Sequence, residues 1–254
     1  MAYIDSHVHL DSWKFPNIQD AAGELNQQLI DADFEKAIVL HLEIQNWSVE
    51  AMSKVITDFD RIEAFVNVHP TNPKAAEILT KAIREQYFCG LKLHPRLQKF
   101  QPDEPEVIEL CRHAGTLNIP VLLDAFPDGT GLMQGFNPLA YAALAKACPN
   151  TRFIWAHMGG HHVIDFMMLA KRLENVHFDC SYSLLYFRGS SIPQNMVYAM
   201  RSMRFERVFY GSDFPDRTIK ESLNASIEVL DEFGVNDTQK ERLLYGNFKE
   251  FMSW

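Results

Sequence analysis

Eight times along the chain a short β-branched or apolar run is followed by a stretch with helical patterning, and this alternation limits the fold more than any other feature. The runs are 3–10, 36–42, 62–69, 89–94, 120–125, 152–157, 176–180 and 208–213. Between them lie helix candidates near 20–31, 47–58, 73–86, 104–118, 138–148, 161–174, 193–204 and 218–233, and a last one near 237–250 with Asn236 or Asp237 as its cap. Pro73 and Pro105 fall near helix starts, where a missing N–H costs little. Strict strand–helix alternation predicts a parallel sheet, and eight units predict closure into a single (β/α)8 (TIM) barrel over 1–254, with an extra C-terminal helix. A doubly wound open sheet would need a Gly-rich turn after the first strand, and Leu10-Asp11-Ser12-Trp13 is no such turn.

Composition supports a folded barrel and narrows the function classes. A 47% hydrophobic content supplies a core, and 24 basic against 33 acidic residues give a net charge of −9. That balance argues against nucleic-acid and anionic-membrane partners and leaves a small molecule as the expected one. A homo-oligomer is compatible with the sequence but not specified by it. No apolar segment reaches spanning length and no basic-then-apolar leader precedes the first run. The four cysteines (Cys89, Cys111, Cys148, Cys180) form no Cys-x-x-Cys pair, and a reduced cytoplasmic setting is expected.

Chemistry collects at the ends of the runs. In a closed barrel the inward residues at the C-terminal strand ends converge on one pocket. Those ends read His7 and His9, His41, His69, Lys92 and His94, Asp124, His157, Asp179 and Asp213. Alternation places Asp5, His7 and His9 on one face of the first strand, so two imidazoles lean toward one point. Neutral imidazole is a common zinc ligand, and buried charges without partners are costly. The ring of ionisable ends therefore predicts a metal-type or acid–base active site. Irregular stretches at 11–19, 125–137 and 182–192 all follow strands and fall on the same face. The middle one, with three glycines, is the lid candidate.

Five segments in this order resemble the amidohydrolase superfamily, in particular the amidohydrolase-2 branch that includes aminocarboxymuconate-semialdehyde and γ-resorcylate decarboxylases. They are Ile4-Asp-Ser-His-Val-His-Leu10, Gly90-Leu-Lys-Leu-His-Pro95, Pro120-Val-Leu-Leu-Asp124, Ile154-Trp-Ala-His-Met-Gly-Gly160 and Tyr210-Gly-Ser-Asp-Phe-Pro215. The resemblance implies a (β/α)8 barrel holding one divalent metal ion, zinc foremost. It makes His7 and His9 ligands, Asp213 a ligand or the acceptor of a water proton, and His157 a catalytic acid/base or a support to the metal ligands. Where the family has a histidine ligand after the fifth strand, this chain has Asp124. A carboxylate keeps a ligand there but suits Mn²⁺ or Mg²⁺ better than imidazole does; alternatively it marks a metal-free site.

The remaining ends carry smaller expectations. Lys92 stands where other branches carbamylate a lysine; here an unmodified lysine pairing with an aspartate or with substrate is expected. His94, Arg96 and Arg188 are substrate-binding candidates, the arginines for a carboxylate. His41 reads as structural, and His69 as structural or substrate-facing. Asp5 is expected to orient a ligand from behind. The reaction expected first is metal-assisted hydrolysis of a small cyclic ester or amide. Non-oxidative decarboxylation of an unsaturated or aromatic acid is the alternative, followed by a metal-free lactonase or a non-catalytic binding barrel.

Overall fold

In the computed structural model, which describes residues 2–254, each of the eight apolar runs supplies a parallel strand. The strands are β1 (Tyr3–Val8), β2 (Phe34–Leu40), β3 (Ile62–Asn67), β4 (Gly90–Leu93), β5 (Val121–Leu123), β6 (Phe153–Trp155), β7 (Val176–Asp179) and β8 (Val208–Phe209). They pair in sequence order, β1 through β8, every pair parallel. Helices Ile18–Asp31, Val49–Asp58, Ala75–Glu85, Pro105–Thr116, Pro138–Ala147, Val163–Ala170, Ile192–Ser202 and Ile219–Glu232 follow the eight strands in turn. Side-chain caps mark several starts: Ser48 accepts from the Ala51 N–H, and Thr218 and Glu221 form a reciprocal box. This is the predicted (β/α)8 barrel.

The seam between β8 and β1 closes through the loop after β8 rather than through a long ladder. Ser6 N–H donates to the Tyr210 carbonyl at 3.0 Å, Asp213 N–H to the His7 carbonyl at 2.9 Å, and His9 N–H to the Phe214 carbonyl at 2.8 Å. The first and last motifs of the chain are thus stitched together by backbone, which brings His7, His9 and Asp213 to one place. Most strands end one or more residues short of the predicted run.

One expectation fails. Asp5 does not share a face with His7 and His9, because the register of β1 against β2 shifts between Asp5 and Val8. Ile4 belongs to the cluster inside the barrel, with Ile38, Leu40, Phe65, Leu122, Ile154 and Phe209, whereas Val8 packs in the layer between strands and helices. Strict alternation would have put residues 4 and 8 together.

The C-terminal helical segment, Asp237–Glu241 and Asn247–Met252 joined by a π-turn at Arg242–Gly246, closes the base of the barrel. Phe248 and Phe251 join the inner cluster there. The Leu243 carbonyl of the π-turn accepts the Tyr210 N–H at 3.0 Å, so a group released from the helical ladder is satisfied by the segment after β8. Among the described residues no helix is long and apolar enough to cross a membrane.

Candidate active site

At the opposite, C-terminal mouth lies a cavity of about 500 Å³. His7, His9, Asp124, His157 and Asp213 all line it, together with His94 and Arg96. Of the ionisable strand ends expected to converge, His41, His69, Lys92 and Asp179 do not line it. An aromatic wall of Phe126, Tyr182 and Tyr186 completes the mouth: Tyr182 and Tyr186 stack with ring centres 4.9 Å apart, and Phe126 meets both edge-on. These three come from two of the long loops. The loop at 125–137 carries a short helix, Gly129–Met133, whose Asp128 cap pairs with Arg96 across the rim at 3.4 Å.

Each histidine has one ring nitrogen committed. His7 Nδ1 lies 3.0 Å from Asp179 Oδ2, and His9 Nδ1 lies 2.9 Å from the Leu40 carbonyl. Both partners are acceptors, so each Nδ1 carries the proton and each Nε2 keeps its lone pair. Those two Nε2 atoms face one carboxylate oxygen: Asp213 Oδ1 is 3.2 Å from His7 Nε2 and 3.7 Å from His9 Nε2. Burial lowers the pKa of both rings, His9 more strongly, with His7 adding to the effect on His9. These are neutral imidazoles, as metal ligation requires.

The spacing fits a cation. Two ligands bound roughly 2.0–2.1 Å from a tetrahedral centre stand about 3.4 Å apart, and the two distances to Asp213 bracket that value. Three protein donors with the remaining direction open to a cavity is the pattern of a catalytic site rather than a closed structural one. His7, His157 and Asp179 also cluster. Their facing atoms are already spent on one another and on Ser181, whose Oγ lies 3.1 Å from His7 Nδ1 and 3.0 Å from His157 Nδ1. That group is a hydrogen-bonded support.

Asp124 lines the cavity but stands outside the His7–His9–Asp213 group. Its Oδ2 is 3.1 Å from His157 Nε2 and 3.5 Å from His94 Nε2. His157 Nδ1 meets the Ser181 carbonyl at 3.0 Å. Both nitrogens of His157 therefore face acceptors, the carboxylate at Nε2 and the Ser181 carbonyl at Nδ1. Burial pulls its pKa down, but the hydrogen bond and charge of Asp124 outweigh that and raise it to about 9. Burial in turn pushes Asp124 up, and the neighbouring imidazoles hold it well below the usual carboxylate range. His94 is pulled down to about 3 by burial, so its approach to Asp124 is a contact with a neutral ring.

His157 and Asp213 both sit at positive φ, 61° and 58°, and the left-handed stretch runs on through Met158, Gly159 and Gly160. At Gly159 a Cβ would come within 2.2 Å of the Phe166 ring, so only glycine fits. Backbone held in such regions collects where geometry is functional.

The other predicted residues separate clearly. Lys92 is fully buried with no partner for Nζ; burial lowers its pKa, opposed by Asp124, Asp179 and Asp213. Arg96 stands at the rim with its Nε buried and unpaired. Arg188 is not at the cavity: both its terminal nitrogens bind Glu228 at 3.1 Å on the outer surface, so the substrate-binding expectation for it is corrected. His41 bonds the Trp47 carbonyl and His69 the Gln98 carbonyl, both structural. Asp5 accepts the backbone N–H of His7 at 3.1 Å and of Ser212 at 2.9 Å, and so sets the backbone beneath both motifs rather than a ligand ring. Asp179 is the residue the sequence reading undervalued. It was legible as an ionisable strand end, whereas nothing in the sequence pointed to Ser181.

The eight-stranded parallel barrel thus brings a His-x-His from the end of its first strand and an aspartate from the segment after its last to one cavity. The chain belongs to the amidohydrolase family, whose model matches residues 4–250. A probable 2-pyrone-4,6-dicarboxylic acid hydrolase from Acinetobacter baumannii, solved with citric acid bound, superposes with a TM-score of 0.74 at 17% identity, covering 100% of both chains. An uncharacterised TIM-barrel protein from Bordetella bronchiseptica gives 0.81 at 14% identity, covering 100% of this chain and 99% of that one. A 2,6-dihydroxybenzoate decarboxylase complexed with 2,6-dihydroxybenzoate gives 0.67 at 16% identity, covering 100% and 99%. At these identities the likeness is one of fold. No curated protein matches the sequence. Family membership indicates an enzyme.

Proposed function

We propose that the protein is a metal-dependent hydrolase of a small cyclic ester, amide or similar carbonyl compound. The observation that carries this reading is the convergence of the His7 and His9 Nε2 atoms on one oxygen of Asp213, with each Nδ1 committed to an acceptor elsewhere. Those three residues would hold one divalent ion, with zinc the first choice by ligand type and Mn²⁺ or Mg²⁺ the alternatives. Bound there, the ion supplies Lewis acidity and lowers the pKa of a water it holds toward about 7.

The chain's own residues do the rest. Asp213, 19% exposed at the cavity floor, has its second carboxylate oxygen free to accept the proton of the attacking water. His157, protonated at neutral pH, donates from Nε2 to the carbonyl or to the leaving group, and Asp124 holds it in that state. Arg96 and His94, on the cavity wall, offer donors to polar substituents of the substrate. Phe126, Tyr182 and Tyr186 give a planar ring a surface to lie on. A cavity of about 500 Å³ suits a small molecule. The free cysteines support a cytoplasmic setting.

One observation favours a second reading, non-oxidative decarboxylation. Arg96 lines the same cavity and could grip a carboxylate, while the His157 imidazolium is a proton donor for carbon. Turnover of a panel of lactones, cyclic amides and aromatic acids in ¹⁸O-water separates the two. Hydrolysis puts one ¹⁸O into the product carboxylate, requires metal, and falls by several orders of magnitude in kcat for Asp213→Asn with KM little changed. Release of CO₂ without ¹⁸O in the organic product makes the enzyme a decarboxylase. Hydrolysis undiminished after verified metal removal defeats the metal-dependent reading in favour of a metal-free lactonase.

A further inference from the structure

Beside the main cavity lies a second one of about 250 Å³, and the two share His9 and Pro215. Its walls are Leu10, Trp13, Leu42 and Ile44, from the loops after β1 and β2. We infer that this side pocket is a substrate subsite that takes an uncharged apolar substituent, an alkyl chain or an aryl ring, on a substrate whose reacting carbonyl sits at His7, His9 and Asp213. The inference rests on the carbonyl-binding reading of the main cavity.

The continuity is the first argument. A pocket of about 250 Å³ falls below the roughly 300–1,000 Å³ of independent small-molecule sites, whereas joined to its neighbour it extends a site already within that range. His9 and Pro215 line both, so the two cavities lie side by side about that pair.

Wall chemistry is the second. The one carboxylate lining the pocket, Asp11, already accepts the backbone N–H groups of Trp13 at 3.1 Å and Lys14 at 3.0 Å through Oδ1. No cationic side chain lines it, so an anionic substituent finds no counter-charge. Trp13 is 98% exposed and Ile44 66% exposed, while Leu10 beneath them is buried. Large apolar side chains left in water at the edge of a cavity gain by being covered.

Preorganisation is the third. Gln45 ties the two loops together: its Nε2 donates to the Leu10 carbonyl at 2.8 Å, and its Oε1 accepts the Leu42 N–H at 3.2 Å. The Trp47 indole N–H reaches the Pro16 carbonyl at 3.5 Å and joins them again. The backbones of the two loops are therefore held together before anything binds, which lowers the ordering cost of binding.

The test uses two homologous series with the full chain. The first is γ-lactones carrying no side chain or n-alkyl chains of increasing length. The second is the matching 2-alkylcyclopentanones, which present a carbonyl but no bond to hydrolyse. Affinity for the ketones, measured by isothermal titration calorimetry, should rise roughly fourfold per buried methylene until the pocket is full. The lactones should show the same trend in kcat/KM. Ile44→Asp and Trp13→Ala, both at exposed positions, should flatten the trend and leave the unsubstituted ring unchanged. Flat affinity across the ketones, or a trend indifferent to both substitutions, overturns the subsite. A trend in ketone binding without hydrolysis of any lactone retains the subsite and rejects the hydrolase reading instead.

Discussion

Asp179 Oδ2 lies 3.0 Å from His7 Nδ1, while the other oxygen of the same carboxylate accepts the His157 N–H at 3.0 Å and the Ser181 N–H at 3.1 Å. One fully buried carboxylate thus fixes the ring of one site histidine and the backbone of the other. Burial pushes its pKa up, but the electrostatic pull and hydrogen bond of the His7 ring, together with His157, more than reverse that.

Asp179→Asn should break this arrangement with almost no change in shape. An amide has one accepting atom where four donors, the Ser181 hydroxyl among them, need acceptors on two oxygens, so either His7 or the 157–181 segment meets an NH₂ group. With the His7 tautomer no longer fixed, zinc affinity should fall about 10–100-fold, the usual cost of losing such a support. Competition titration against a fluorescent zinc chelator measures this. Unchanged affinity would show that Asp179 does not set the His7 ring.

His157 is expected to titrate near 9 in the chelator-treated protein and at lower pH in Asp124→Asn, because only Asp213 and Asp179 then oppose burial. Ring ¹⁵N shifts report both directly. Stability should follow. A folded pKa above the unfolded value of about 6.5 stabilises fully below that value, and the gain is lost as pH rises through 9. Urea midpoints of the chelated protein should therefore decline between pH 7 and 10, and Asp124→Asn should remove this part of the slope. A His157 shift that stays fixed through pH 10 would rule out the pairing as the cause.

Phe248→Ala should test whether the C-terminal segment is the floor of the barrel. Phe248 is 1% exposed and meets Phe209 of β8 edge-on with ring centres 5.1 Å apart. Truncating so buried an aromatic costs about 3–5 kcal/mol. The urea midpoint should drop accordingly while zinc affinity at the far end of the barrel stays put. A loss under 1 kcal/mol would mean the helix lies on the barrel without filling it.

The fold was legible because a parallel barrel repeats one rule eight times, and a misjudged boundary at one strand does not disturb the others. The site was legible as residue types at strand ends, since burying His7, Asp124 or Asp213 in an apolar barrel has to serve something. What was hidden depends on local backbone. A register shift inside β1 turned Asp5 away from the face alternation assigned to it. The left-handed turn at His157–Gly160 aims His157 at Asp124, and only the paired glycines hinted at it. Arg188 looked like a carboxylate clamp by position, but a short helix after β7, Ser183–Tyr186, carries the chain past the mouth and delivers Arg188 to Glu228. The aromatic wall joins residues more than fifty positions apart, which no local pattern reveals.

Asp124→His should separate the two roles open to position 124. The wild-type carboxylate stands at the cavity but spends Oδ2 on His157 at 3.1 Å, apart from the three atoms that converge at Asp213. An imidazole there has a reach similar to the two already present and offers a fourth nitrogen or oxygen donor. Zinc affinity should rise at least tenfold, and the preference for Zn²⁺ over Mn²⁺ should widen, since imidazole suits zinc better than the harder ion. The same change removes the only carboxylate bonded to the His157 ring, so the His157 pKa should fall and activity at neutral pH should drop although the metal is held more tightly. Competition titrations with both ions, read beside the pH profile of kcat, check the two halves independently. Tighter zinc with unchanged activity would show that Asp124 is not what keeps His157 protonated. Lost activity with unchanged zinc affinity would show that position 124 lies outside ligand reach, leaving Asp124 as the partner of His157 alone.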